Sequence, residues 1–284
     1  MAGLPRSDDG HRVVKAMATD LDMFRLDGRV ALITGAGGGL GRVFAQVLAS
    51  AGAHVYCADL DLTGAQETAS LIGGAAGGAQ ALAVDVADER SVADMARSLE
   101  AQGRLDVLVN NAGIATRTAR IHEMPVADWD RLHAVNTRGV FLVTRACLPL
   151  LLRTGGGSVI NLASVAALVG VTPELPAVAA NYSASKGAVV GFTRQAAVEY
   201  AAHGIRFNAI APGWHLGTDL GRESLGAWQP QALQAFLAGI VARTPMQRTA
   251  EPWELAGLCL FLASDASAFM TGQIIASDGG WTAW

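Results

Sequence analysis

Val30-Ala31-Leu32-Ile33-Thr34-Gly35-Ala36-Gly37-Gly38-Gly39-Leu40-Gly41 decides the fold. The first five residues form an unbroken apolar run, short enough to be a strand covered on both faces. Glycines follow at once, and a helix is expected to open near Leu40. Bare backbone can turn tightly there and approach a pyrophosphate, which meets the N–H groups of the helix N-terminus. Strand, glycine turn and helix in this order specify a dinucleotide-binding unit rather than an ordinary turn.

Outward from this unit the same alternation recurs. Short apolar runs at 54–58, 81–84, 106–110, 158–163, 205–210 and 273–276 read as further strands. Ala-rich stretches between them, including 127–153 and 182–202, read as helices. Seven buried strands separated by helices make an α/β fold, a doubly wound parallel sheet in three layers with right-handed crossovers. Residues 1–24 are polar and aperiodic and are expected to be a mobile extension, leaving 25–284 as one catalytic domain. The Gly73 to Gly78 run reads as a plain linker. Residues 212–245, with Trp214, Trp228, Pro230 and Phe236, suit a short helical lid.

Composition limits the function classes. Of 284 residues 51% are hydrophobic and 16% charged, so a large core is easily supplied. The net charge is −4, and no basic run is present, which argues against nucleic acid or an anionic membrane as partner. No stretch is expected to span a bilayer. Cys57, Cys147 and Cys259 are widely spaced and read as buried reduced thiols, which fits a cytoplasmic location. His54, His122, His133, His203 and His215 form no ligand cluster, so no metal is expected. No Gly-x-Ser-x-Gly elbow marks a serine hydrolase.

The chemistry is carried by Asn181-Tyr182-Ser183-Ala184-Ser185-Lys186. Four-residue spacing stacks a phenol and an ammonium on one helix face. A free phenol loses its proton near pH ~10, and a fixed cation beside it is expected to lower that value. Ser164 ends the fifth strand shortly before the tyrosine.

Together with the glycine turn, Asn110-Asn111-Ala112-Gly113, Asn136 and Pro212-Gly213, these residues resemble the single-domain branch of the short-chain dehydrogenase/reductase family. They occur in the family's order across most of the chain. The resemblance implies a Rossmann-like fold and interconversion of a secondary alcohol and a ketone by hydride transfer. Tyr182 would be the acid/base, and Ser164 would donate to the substrate oxygen. Lys186 would lower the tyrosine's pKa and grip the nicotinamide ribose, while Asn136 would hold a water leading to Lys186. Gly35, Gly38, Gly39 and Leu40 would hold the pyrophosphate. Asp59, about 20 residues beyond the glycines, would accept from the ribose hydroxyls and repel a 2′-phosphate. Position 38, where relatives preferring NADP often carry Arg or Lys, is glycine, so NAD is the expected cofactor. Asp61 reads as a helix cap before Thr63. Asp85 and Val86 would edge the adenine, although a turn aspartate is an equal reading of Asp85. Asn111 and Gly113 would lie along the adenosine ribose, and Pro212, Gly213 and Thr218 beside the nicotinamide.

Two departures from the family pattern stand out. Ser164 and Tyr182 are 18 positions apart, wider than usual, with the extra residues within 169–180. One additional residue in Trp214-His215-Leu216 displaces the usual threonine to Thr218. His215 reads more readily as a loop histidine facing water than as a substrate contact. Residues 169–180 and 212–245 are expected to carry specificity. A non-catalytic dinucleotide-binding sensor and a sugar-nucleotide epimerase are the competing readings. The complete catalytic set opposes the first, and the lack of a sizeable C-terminal substrate domain opposes the second. By the same resemblance a homotetramer is expected, with helices 127–153 and 182–202 paired between subunits and Trp281 to Trp284 covered by a neighbour.

Overall fold

The computed structural model describes residues 21–74, 77–171, 179–218 and 229–284. β1 (Val30–Thr34) lies between β2 (His54–Asp59) and β4 (Val107–Asn110), both parallel to it. With β3 (Ala79–Ala83), β5 (Gly157–Leu162), β6 (Ile205–Pro212) and β7 (Ile274–Ser277) they form one parallel sheet, ordered β3-β2-β1-β4-β5-β6-β7. Every expected strand forms. The chain winds outward from β1 to β3, then crosses back to β4, so strand order reverses between β1 and β4. Loops at the C-terminal ends of those two strands splay apart there and leave a crevice.

Eight helices form among the described residues: α1 (Gly39–Ser50), α2 (Leu62–Ile72), α3 (Glu89–Glu100), α4 (Val126–His133), α5 (Val140–Thr154), α6 (Ala180–Tyr200), α7 (Pro230–Arg243) and α8 (Ala256–Ala263). Successive strand residues point to opposite faces, which is why both must be apolar. Ile33 joins Phe44, Leu48 and Leu262 in one core, whereas Leu32 joins Leu99, Leu150 and Phe207 in the other. Each such side chain contributes about 1.5–3 kcal/mol by leaving water.

The helix expected over 127–153 forms but is not uniform. Ala134–Gly139 is a π-turn between α4 and α5. The combined helix, Val126–Thr154, is long and apolar enough to cross a membrane by length and composition, contrary to expectation. Half of its most apolar window is buried within the protein, because the same apolarity covers a sheet face.

Other expectations change. Leu21–Phe24 form a 3-10 turn beside Asp265–Ser267, so described structure begins ahead of residue 25. The expected extension over 1–20 lies outside the described residues, as do Ala75, Ala76, 172–178 and 219–228. Gly77 is more than a linker residue, because a Cβ there would stand 1.9 Å from the Ala53 carbonyl oxygen. Within the segment expected to be a lid, α7 forms, and its Phe236 and Ile240 pack with Val165 and Trp281. Trp281 is only 9% exposed and packs edge-on against Trp214 within its own chain, while Trp284 is 84% exposed. Only the latter still suits cover by a neighbour.

Candidate active site

The crevice between the ends of β1 and β4 is a cleft of about 420 Å³. Its floor is the glycine turn. Gly35 and Gly39 have φ of 67° and 50°, left-handed values that side chains resist. A Cβ on Gly41 would stand 2.0 Å from the Gly35 carbonyl oxygen, so helix and turn close on each other only if residue 41 is glycine. Gly38 supplies no side chain to cap α1. Its first N–H groups therefore remain open toward the cleft side of the turn, which suits an anionic diphosphate.

Asp59 ends β2 at the cleft wall. Its Oδ2 accepts from Gly37 N–H at 2.7 Å and its Oδ1 from Asp61 N–H at 2.9 Å. The carboxylate is locked in place while each oxygen keeps a lone pair for a hydroxyl donor. Arg42, a cation near the turn, is occupied by Gly37 O, Thr68 Oγ1 and Glu67. Asp61 caps α2 through Thr63 N–H, as expected, and also lines the cleft. Asp85 accepts from Ala87 N–H at 2.9 Å, the turn-aspartate arrangement, yet it borders the cleft with Val86. Asn111 directs its Nδ2 to the carbonyls of Thr34 and Gly35, both at 3.0 Å, and so braces the glycine turn.

At the far end of the cleft stand Ser164 from the end of β5 and Tyr182 and Lys186 from α6. Pro212, Gly213 and Thr218 close this end. Lys186 is 4% exposed, and its Nζ donates to Leu162 O at 2.7 Å while lying 5.8 Å from the Tyr182 ring centre. Burial lowers the Lys186 ammonium to about 8. Burial pushes the Tyr182 phenol up to about 12, and a hydrogen bond with Ser164 opposes that rise. Desolvation therefore acts against the lowering expected from Lys186.

Asn136 alone among the expected residues lies behind the cleft rather than on its wall, fully buried in the π-turn. Its Oδ1 accepts from Ile114 N–H at 2.8 Å, and its Nδ2 donates to Ile114 O at 2.9 Å and Ser185 Oγ at 3.3 Å. A Cβ on Gly113 would meet both Asn136 Oδ1, at 3.3 Å, and Lys186 Nζ, at 3.4 Å. Glycine there keeps the span between amide and ammonium clear of side chain.

Sequence reasoning missed Ser185 and the Leu162 carbonyl. Ser185 had a signal, its place one residue before Lys186. A backbone carbonyl has none. His215 does not face water as expected: it borders the cleft, and its Nε2 is buried. No cluster of candidate metal ligands exists among the described residues.

Residues 35–282 match the family described as enoyl-(acyl carrier protein) reductase. The chain is 39% identical to D-threitol dehydrogenase of Mycolicibacterium smegmatis, covering 94% of this chain and 97% of that protein. A short-chain type dehydrogenase/reductase from Mycobacterium marinum superposes with a TM-score of 0.84 at 36% identity, over 92% of this chain and 98% of its own. A gluconate 5-dehydrogenase from Burkholderia cenocepacia, solved with NADP and tartrate, gives 0.83 at 38% identity, over 93% and 98%. Fold, cleft and sequence agree: the chain belongs to the short-chain dehydrogenase/reductase family.

Proposed function

We propose that this chain is an NAD-preferring dehydrogenase in which Tyr182 moves the proton and Ser164 holds the substrate oxygen. As a family member it is an oxidoreductase of secondary alcohols and their ketones. The observation that carries the proposed roles is the convergence of Ser164, Tyr182 and Lys186 at one end of a glycine-floored cleft.

The bound nicotinamide dinucleotide supplies the hydride chemistry. The rest belongs to the protein. With its phenol at about 12, Tyr182 is protonated at neutral pH and ready to donate to a carbonyl oxygen. Ser164 Oγ–H donates to the same oxygen as charge gathers there. Lys186, fixed on Leu162 O, keeps positive charge beside the phenol and shares it with any ribose hydroxyl in reach. Asn136 holds the Ile114 backbone, and a water held between it and Lys186 would complete the proton relay.

Asp59 supports NAD over NADP. A 2′-phosphate would meet a fixed carboxylate, with Gly38 offering no cation and Arg42 already engaged. The buried thiols of Cys57, Cys147 and Cys259 suit a reducing cytoplasm. A panel of secondary alcohols with NAD and NADP, followed by absorbance of the reduced cofactor, tests the reading. Turnover with a higher kcat/KM for NAD is expected. No turnover with either cofactor would favour a non-catalytic sensor, and a clear NADP preference would overturn the Asp59 argument.

A further inference from the structure

Tyr182 stands in the first turn of α6, where a helix has the fewest bonds of its own. Ala179, the residue capping that turn, offers no side chain to hold it, only its carbonyl. The residue before the tyrosine supplies the missing hold. Asn181 is fully buried, and its Oδ1 accepts from the Tyr182 N–H at 2.8 Å. An N–H only donates, so the atom facing it is the amide oxygen and Nδ2 points the other way. That Nδ2 donates to Thr116 Oγ1 at 2.9 Å. Thr116, itself 6% exposed, lies in the segment that follows β4.

The same segment carries Gly113 and Ile114, which line the cleft, whereas neither Thr116 nor Asn181 does. One turn further along α6, Ser185 accepts from Asn136 Nδ2, and Asn136 holds both backbone polar groups of Ile114. Residues 181 and 185 share one helix face. Through them α6 is pinned twice to the segment after β4, once beside Tyr182 and once beside Lys186. Tyr182, one residue past the first pin, is turned about 100° from it around the helix and meets Ser164. A buried amide deprived of its acceptor must shift to find another, and here the shift passes directly to the tyrosine backbone.

We infer that Asn181 and Thr116 are a positioning pair for the reaction, whose hydrogen bond sets the placement of the Tyr182 hydroxyl against Ser164 and the substrate oxygen. This rests on the proposed acid/base role of Tyr182. The pair acts on the proton step rather than on cofactor binding, because the glycine turn and Asp59 lie at the other end of the cleft.

The test compares Thr116→Val, which removes the hydroxyl and keeps the volume, with Thr116→Ser, which keeps the hydroxyl, and with Asn181→Ala. Turnover of a secondary alcohol and fluorescence titration with NAD are measured for each. Thr116→Val should lower kcat by roughly 10- to 100-fold, the scale for a small misplacement of a reacting group, with KM and affinity for NAD little changed. Thr116→Ser should restore most of the lost kcat. Asn181→Ala should match Thr116→Val, and combining the two should add little, because both break one bond. A Thr116→Val enzyme with undiminished kcat overturns the inference. So does one that loses NAD binding together with turnover, since the pair then merely holds the fold, and so do single losses that multiply in the double variant or a Thr116→Ser enzyme no better than Thr116→Val. Failure of the underlying reading shows separately, as an unmodified enzyme that turns over no secondary alcohol or a Tyr182→Phe enzyme that stays active.

Discussion

Tyr182 and Lys186 each have their proton affinity moved by burial toward the neutral form, the phenol to about 12 and the ammonium to about 8. The sign for catalysis follows. Ketone reduction needs the protonated phenol, which is the dominant form below about 12. Alcohol oxidation needs the phenolate, whose fraction grows about tenfold per pH unit below that value. Oxidation kcat/KM should therefore rise with pH up to about 8 and level off above it, as Lys186 loses its proton and its charge beside the phenol, while reduction does not rise, as measured by initial rates in each direction. Ser164→Ala removes one donor to the substrate oxygen and should lower kcat by about 10²-fold or more, with cofactor affinity nearly intact. Asp59→Ala removes the carboxylate that excludes a 2′-phosphate, so the NAD to NADP ratio of kcat/KM should fall. An unchanged ratio in that variant would place discrimination elsewhere.

At the scale of elements, the glycine turn and α1 act as one unit. Gly41→Ala would press a Cβ against the Gly35 carbonyl and Asn111 Nδ2. It should cost about 1–3 kcal/mol of stability, the range for overpacking, and weaken dinucleotide binding more than ten-fold. Thermal melting and fluorescence titration with NAD check the two effects separately. The central strands were legible because a buried parallel strand must be apolar on both faces, whereas β3 and β7 at the sheet edges are only partly buried. The π-turn at Ala134–Gly139 was not legible, because widening one turn hardly disturbs an apolar period over Val126–Thr154. That turn is what carries Asn136 to Ile114 and Ser185. The grip of Lys186 on Leu162 O was equally hidden, since every residue type offers the same carbonyl. The environment of His215 depends on packing across β6 and the Ala250 strand bridge, which no local pattern encodes.

For the whole molecule, the helices that carry the site also leave apolar side chains outside. Phe141 on α5 is 48% exposed and Val198 on α6 is 78% exposed, with Trp129 on α4 40% exposed. A helix packed on a sheet needs one apolar stripe, so these fit cover by another copy of the chain. Light scattering is expected to give about four times the chain mass, and a stable active monomer at micromolar concentration would refute that assembly. The central claim, that this cleft transfers a hydride to or from a secondary alcohol with Tyr182 as acid/base, meets its most direct test in Tyr182→Phe. The substitution removes one hydroxyl and keeps the ring packed. Turnover of a secondary alcohol should fall by more than about 10²-fold, while NAD binds with nearly unchanged affinity in fluorescence titration. Near-normal turnover by the Tyr182→Phe enzyme would contradict the account.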